Sequence, residues 1–131
     1  MITTTTVWAT FQVEGWHHWP GAPDKYDWLA DSHRHMFHVR VEISVGQSRE
    51  IEFIDLRKQA MADFENSVLG ILATTGKYPA SYSCEEMAKL LVTHLELLYP
   101  EREFYAVTVS EDGENGSTVE YLHPENIKES E

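Results

Sequence analysis

The sequence predicts an α+β domain: an antiparallel sheet with two helices on one face, and elements in the order ββααββ. Alternation of apolar and polar residues marks the segments before position 50 and after position 103, whereas helical spacing marks two segments between them. At 131 residues, the chain is long enough for one substantial core. We expect a single domain over residues 1–123, followed by an acidic tail over residues 124–131.

The first two strands lie in the N-terminal part of the chain. Residues 3–19 are rich in threonine, valine and aromatic side chains, which favours a strand, and the prolines and glycine of residues 19–28 break it into a loop. Alternation resumes at His33, which indicates a half-buried strand with one wet face. A turn then precedes residues 51–53, which we expect to form a short return strand.

Two central segments switch to helical spacing. Residues 54–69 carry apolar side chains on one helical face, at Leu56, Ala60, Phe64 and Val68. A loop over residues 74–81 follows. Ser83 with Glu86 three positions later is a capping-box pattern, which predicts that a second helix begins there, and Pro100 ends it.

The C-terminal part predicts a β-hairpin. Residues 104–111 and 118–122 have the composition of strands. The acidic, glycine and asparagine residues between them indicate a turn. We expect Asn115-Gly116 at its tip, because this dipeptide suits tight hairpin turns.

Composition excludes several classes of partner. The chain has 22 acidic against 10 basic residues, a net charge of −12, which would repel a nucleic-acid backbone or an anionic membrane. No apolar run approaches the ~18 residues that a membrane span needs. The single cysteine, Cys84, excludes an intrachain disulfide. Because a signal-peptide pattern is also missing, we expect a cytoplasmic protein.

The histidines point to a metal site. His33 and His35 alternate on one strand, so their imidazoles face the same side, although such a pair alone is more often two ordinary strand residues. His17 has the parity of the apolar face of the first strand, so it should face the same side if the two strands pair. Three neutral imidazoles with an open position form a catalytic type of zinc site. His18 should point away, but it is the fallback ligand if a bulge inverts the parity.

These motifs resemble those of the 6-pyruvoyltetrahydropterin synthases and the 6-carboxytetrahydropterin synthases of the queuosine route, over about residues 11–121. "VEGWHHWP" stands where the family has its first zinc histidine, and "HRHMFHVRVEI" stands at its His-Gly-His strand, with Arg34 replacing the glycine. "EFIDL" (Glu52 to Leu56) resembles the Asp-Phe-x-x-Leu opening of the first helix. "YSCE", ending at Glu85, occupies the position of the Pro-Thr-Ser-Glu opening of the second, and "VTVSE" places Glu111 at the family's pterin-anchoring glutamate.

The resemblance implies a tunnelling fold, in which ββααββ units associate into an oligomeric barrel of trimers or hexamers with active sites between subunits. It implies a Zn²⁺ ion held by His17, His33 and His35. It also implies that Glu111 and Glu85 bind the substrate, which would be dihydroneopterin triphosphate or a related pterin. The activity implied is a lyase reaction in which zinc polarises side-chain oxygens.

The chain departs from the family in its proton-transfer residues. Leu29 stands in place of the family's cysteine, and no Asp-His pair follows the first helix. Asp31, two residues before His33, is the candidate replacement, although a loop role is the simpler interpretation. Cys84 is either a small buried residue or a thiol made reactive by the helix N-terminus. The alternatives are a relative that binds zinc and a pterin or purine without turnover, and a structural oligomer whose histidines bind nothing.

Overall fold

A computed structural model describes residue 1 and residues 3–123 of the chain. Four antiparallel strands form one sheet in the order β1-β2-β3-β4. They are β1 (Thr5–His17), β2 (His33–Val45), β3 (Phe104–Glu111) and β4 (Asn115–Leu122). The predicted α+β class is confirmed, and so is the ββααββ order apart from one additional short helix, Ile71–Thr74, between the two predicted helices. The acidic tail predicted over residues 124–131 lies outside the described residues.

The helices connect β2 to β3 and pack on one face of the sheet. They are α1 (Phe53–Asp63), which continues as a π turn (Phe64–Val68), then α2 (Ile71–Thr74) and α3 (Cys84–Leu98). The capping box predicted at the start of α3 is present, since Ser83 Oγ accepts from the Glu86 amide while the Glu86 carboxylate accepts from the Ser83 amide. A 3₁₀ helix (Asp24–Ala30) lies between β1 and β2.

The core lies between the helices and the inner face of the sheet. Phe64 of the π turn contacts Phe11 of β1 edge to face, with ring centroids 6.0 Å apart. Burial of each such side chain stabilises the fold by roughly 1.5–3 kcal/mol. Gly15 packs closely near the end of β1, because a Cβ there would overlap the Leu69 side chain and lie 3.2 Å from Phe37 Cε2. This close packing fixes β1 against the helical layer at a position two residues before His17, on the same face of the strand.

Two local predictions were wrong. Residues 51–53 form no strand, because Glu52 instead caps α1, its side chain accepting from the Ile54 amide at 3.3 Å. The hairpin turns at Asp112-Gly113, with φ of 58° and 73°, and not at Asn115-Gly116, which belongs to β4. Both dipeptides suit a turn with positive φ, and the chain uses the first of them.

In the part of the chain that the structure describes, no helix is both long enough and apolar enough to cross a bilayer.

Candidate metal centre

Three histidines meet where β1 and β2 pair at one end of the sheet. His17 lies opposite His33 in the register, and Gly15 lies opposite His35. Because alternate residues of a strand face the same side, all three imidazoles project from the inner face. The ring centroids are 4.4 Å apart for His17 and His33, 5.3 Å for His17 and His35, and 5.2 Å for His33 and His35.

Glu111 joins this cluster from the end of β3. Its Oε2 atom lies 2.8 Å from His17 Nε2 and 3.2 Å from His35 Nε2. The four residues each offer one donor atom, and these atoms all lie within 4.8 Å of one another. Three imidazoles and a carboxylate form a donor set that zinc sites use, so this cluster could hold a metal ion.

An oxygen acceptor lies against the second nitrogen of every ring. Such contacts place the proton on Nδ1 and leave the Nε2 lone pair available for a metal. The contacts are His17 Nδ1 with Tyr82 O at 3.1 Å, His33 Nδ1 with Asp31 O at 2.8 Å, and His35 Nδ1 with Asp112 Oδ2 at 2.7 Å.

His17 is the most buried member, with 8% of its surface exposed. Its Nε2 atom is buried and forms no hydrogen bond, despite the nearby Glu111 oxygen. Burial lowers the pKa of His17, against the raising effect of the Tyr82 carbonyl, so the neutral form is favoured. A neutral imidazole with a buried, unsatisfied nitrogen fits a metal ligand, because only the deprotonated nitrogen can coordinate.

A cleft of about 440 Å³ opens over the cluster. It lies between the end of β1, the loop before β2 and the start of α3. Its lining residues are His17, His18, Trp19, Leu29, His33, Ser81, Tyr82, Ser83, Cys84, Glu85, Glu86 and Glu111. A small organic molecule therefore has access to the candidate metal position, since Glu111 and two of the histidines form part of the wall.

Comparison with known proteins shows what the chain resembles in structure. No family model and no curated protein matches the sequence. The structure of 6-pyruvoyl tetrahydropterin synthase from Plasmodium vivax superposes with a TM-score of 0.56 at 15% identity, covering 92% of this chain and 99% of that chain. The chain has the 6-pyruvoyl tetrahydropterin synthase fold. The subunit fold that the resemblance implies is thereby confirmed, and at this identity the match concerns the fold alone.

The two other residues predicted to take part in the site, Glu85 and Asp31, differ in their position relative to the cleft. Glu85 lines the cleft, and its Oε1 accepts a hydrogen bond from Ser117 Oγ at 2.7 Å. Asp31 is exposed and is not a lining residue; it contacts the cluster through its backbone carbonyl, which orients His33. Its role in proton transfer stays a prediction.

His18 lines the cleft, although the strand pattern predicted that it points away. The strand ends at His17, and the His18 amide donates to the Ala80 carbonyl at 2.9 Å, so alternation does not extend to this residue. His18 Nδ1 lies 3.3 Å from the Ala30 carbonyl. His18 is not among the four clustered donors.

Cys84 is a buried wall residue. Burial, together with the charges of Glu111 and Glu85, raises its pKa from 9.0 to about 12. These effects outweigh the helix N-terminus, which alone would lower the pKa. Of the two interpretations of Cys84, the structure favours the small buried residue over the reactive thiol.

Sequence reasoning missed Asp112. Its carboxylate accepts from the Met36 amide at 2.9 Å as well as contacting His35 Nδ1. The His35 hydrogen bond, followed by the Met36 amide, lowers the pKa of Asp112. The only local signal is the Asp-Gly pair directly after Glu111, which predicts a turn and not a contact with a histidine.

Proposed function

We propose that the protein is a zinc-dependent enzyme of the pterin pathway, a carbon–oxygen or carbon–carbon lyase of the 6-pyruvoyl tetrahydropterin synthase type. The observation that carries this proposal is the convergence of three imidazoles and a carboxylate at the wall of a cleft, on this fold. Zinc, when bound, would polarise side-chain oxygens of the substrate and ease proton removal.

The residues of the chain have distinct roles in this proposal. His17, His33 and His35 hold the metal, and their Nδ1 partners keep the rings oriented. Glu111 accepts hydrogen bonds from the adjacent N–H groups of a 2-aminopyrimidinone, the shared edge of pterin and guanine. Glu85, held by its hydrogen bond from Ser117, is the second substrate-binding carboxylate.

Proton transfer is the step for which the chain departs from the family. Leu29 contributes an apolar side chain to the cleft wall where the resemblance implies a cysteine. Residues 65–76 contain no histidine and form part of the π turn and α2. Asp31 is the proposed proton-transfer group. These departures favour a second candidate function, in which the protein binds zinc and a pterin or purine without turnover.

The proposed enzyme is a homo-oligomer located in the cytoplasm. Strands β1 and β4 are both edge strands, and open edges favour pairing with further copies, which supports a trimer or hexamer. The net charge of −12 argues against nucleic acid as a partner. The single cysteine suits a reducing cytoplasm.

The test is an activity assay with defined zinc content. The full chain, loaded with zinc, is incubated with 7,8-dihydroneopterin and with its triphosphate, with and without a chelator, and products are identified by mass spectrometry. The proposed enzyme activity predicts a product that is lost when chelator is added. The product should also be lost in His17→Ala but should still form in His38→Ala. His38 is a suitable control because it lies on the opposite face of the sheet, paired with Gln12 and Ser110.

Other outcomes separate the alternatives. Zinc and ligand binding without any product would favour the non-catalytic binder. Zinc content well below one ion per chain in the unmodified protein, measured by elemental analysis, would contradict both functions and leave the structural oligomer.

A further inference from the structure

The carboxylate of Glu111 lies against an imidazole nitrogen that has no proton to share with it. His17 Nδ1 faces the Tyr82 carbonyl at 3.1 Å, so Nδ1 carries the proton of the neutral ring and Nε2 presents a lone pair. Glu111 Oε2 nevertheless lies 2.8 Å from this Nε2, which is buried and forms no hydrogen bond. Two acceptors at this distance repel each other unless a cation lies between them.

The same carboxylate oxygen meets a second ring. Glu111 Oε2 lies 3.2 Å from His35 Nε2, and the other nitrogen of that ring lies 2.7 Å from Asp112 Oδ2. His33 supplies the remaining donor atom, and all four donors lie within 4.8 Å of one another. Two ligands at about 2.0–2.1 Å from one tetrahedral ion lie about 3.3 Å apart, so both contacts are short enough for shared coordination.

The sheet itself holds Glu111 at this position. The residue pairs with Phe37 in the register of β2 and β3, and it has the inner-face parity of the buried Val109. The Asp112 amide that follows donates to the Met36 carbonyl at 2.7 Å, which fixes the end of β3 on β2. All four donors belong to one chain, so their convergence does not depend on a second copy.

We propose that Glu111 is a fourth protein ligand of the metal and closes the position that three histidines alone would leave open. This inference rests on the proposed function and adds a condition to it: substrate reaches the ion only after the Glu111 carboxylate withdraws. Four protein ligands are typical of closed zinc sites, whereas catalytic sites keep a position open. Glu111 also lines the cleft, which leaves its side chain room to withdraw.

The first experiment measures whether a small external ligand reaches the metal, and it needs no substrate. The full chain is loaded with Co²⁺, cobalt content is checked, and azide is titrated while the visible absorption of the cobalt is recorded. Glu111→Gln should bind azide at least about tenfold more tightly than the unmodified protein, because the position is then open. Glu86→Gln is the control, since it removes a charge from the same cleft and keeps the capping box. Its azide affinity should equal that of the unmodified protein.

The second experiment uses the sign of a stability change at pH 8. Without metal, Glu111→Gln should raise the melting temperature, because its carboxamide can donate to His17 Nε2, where the carboxylate faces a lone pair. With saturating zinc the order should reverse, because the carboxylate is the stronger ligand and binding stabilises the folded chain. Zinc affinity in a chelator competition should fall at least about tenfold in the variant.

The outcomes separate this inference from the function on which it rests. Equal azide affinity in the unmodified protein and Glu111→Gln would show an open position, and would overturn the inference while the proposed function stands. A lower melting temperature for metal-free Glu111→Gln would also overturn it, since the contact would then be an ordinary hydrogen bond to a protonated ring. A closed site without any pterin product would contradict the proposed function alone. If the chain takes up no metal, both fail.

Discussion

The reactivity of Cys84 tests whether this cleft contains a nucleophile. Its pKa of about 12, against an ordinary 9.0, lowers the thiolate fraction at pH 8 by about a thousandfold, since each pH unit is a factor of ten. Only the thiolate attacks an alkylating agent. With 7% of its surface exposed, the residue also gives a reagent little access.

The assay is alkylation with iodoacetamide, followed by intact-protein mass spectrometry. In the native protein at pH 8, we expect a rate at least about a thousandfold below that of a free thiol, rising about tenfold per pH unit up to pH 10. The unfolded chain is the control, because denaturant removes burial and should restore the ordinary rate. Native labelling within a factor of about ten of the free thiol would show that the helix N-terminus dominates and that Cys84 is an available nucleophile in the cleft.

Three further predictions concern stability and metal binding. Gly15→Ala should lower the free energy of unfolding by about 1–3 kcal/mol through overlap with Leu69, and an unchanged urea midpoint would contradict this packing. A hydroxyl hydrogen bond and a neighbouring guanidinium lower the pKa of Glu42 below its ordinary 4.5, so its stabilising contribution is complete above that pH and lost as the pH falls through the lower native value. Between pH 6 and pH 3, Glu42→Gln should therefore lose less stability than the unmodified protein, as measured by chemical denaturation at each pH. Parallel plots of unfolding free energy against pH for the two proteins would refute the role of the Glu42 carboxylate. Asp112→Asn keeps a residue that tolerates positive φ but removes the charge beside His35, so zinc affinity in a chelator competition should fall about 10–100-fold; an unchanged affinity would show that the carboxylate does not support that ligand.

The sequence alone predicts which face of the sheet each strand residue occupies, and this determines the position of the three histidines. Alternation within β1 and β2 places His17, His33 and His35 on the inner face, and this depends only on local pattern and pairing. The spacing of apolar residues likewise predicts the helices and the core they cover.

The remaining features depend on contacts between distant residues. His18 turns into the cleft because the chain leaves β1 to bond Ala80, 62 positions later. Asp112 orients His35 across 77 positions, and no local pattern records this contact. The position of Asp31 before His33 predicts a carboxylate near the site, but its contact with His33 is through the backbone carbonyl, which any residue could provide.

The four clustered donors come from three strands and span positions 17 to 111. A slip of β1 against β2 by a single residue would turn the imidazole of His17 to the outer face of the sheet, away from the other donors. Uptake of one tightly held metal ion by refolded protein would then count the molecules whose strands have aligned correctly. A chelator-resistant fraction could thus serve as a quality measure for preparations, independent of any substrate.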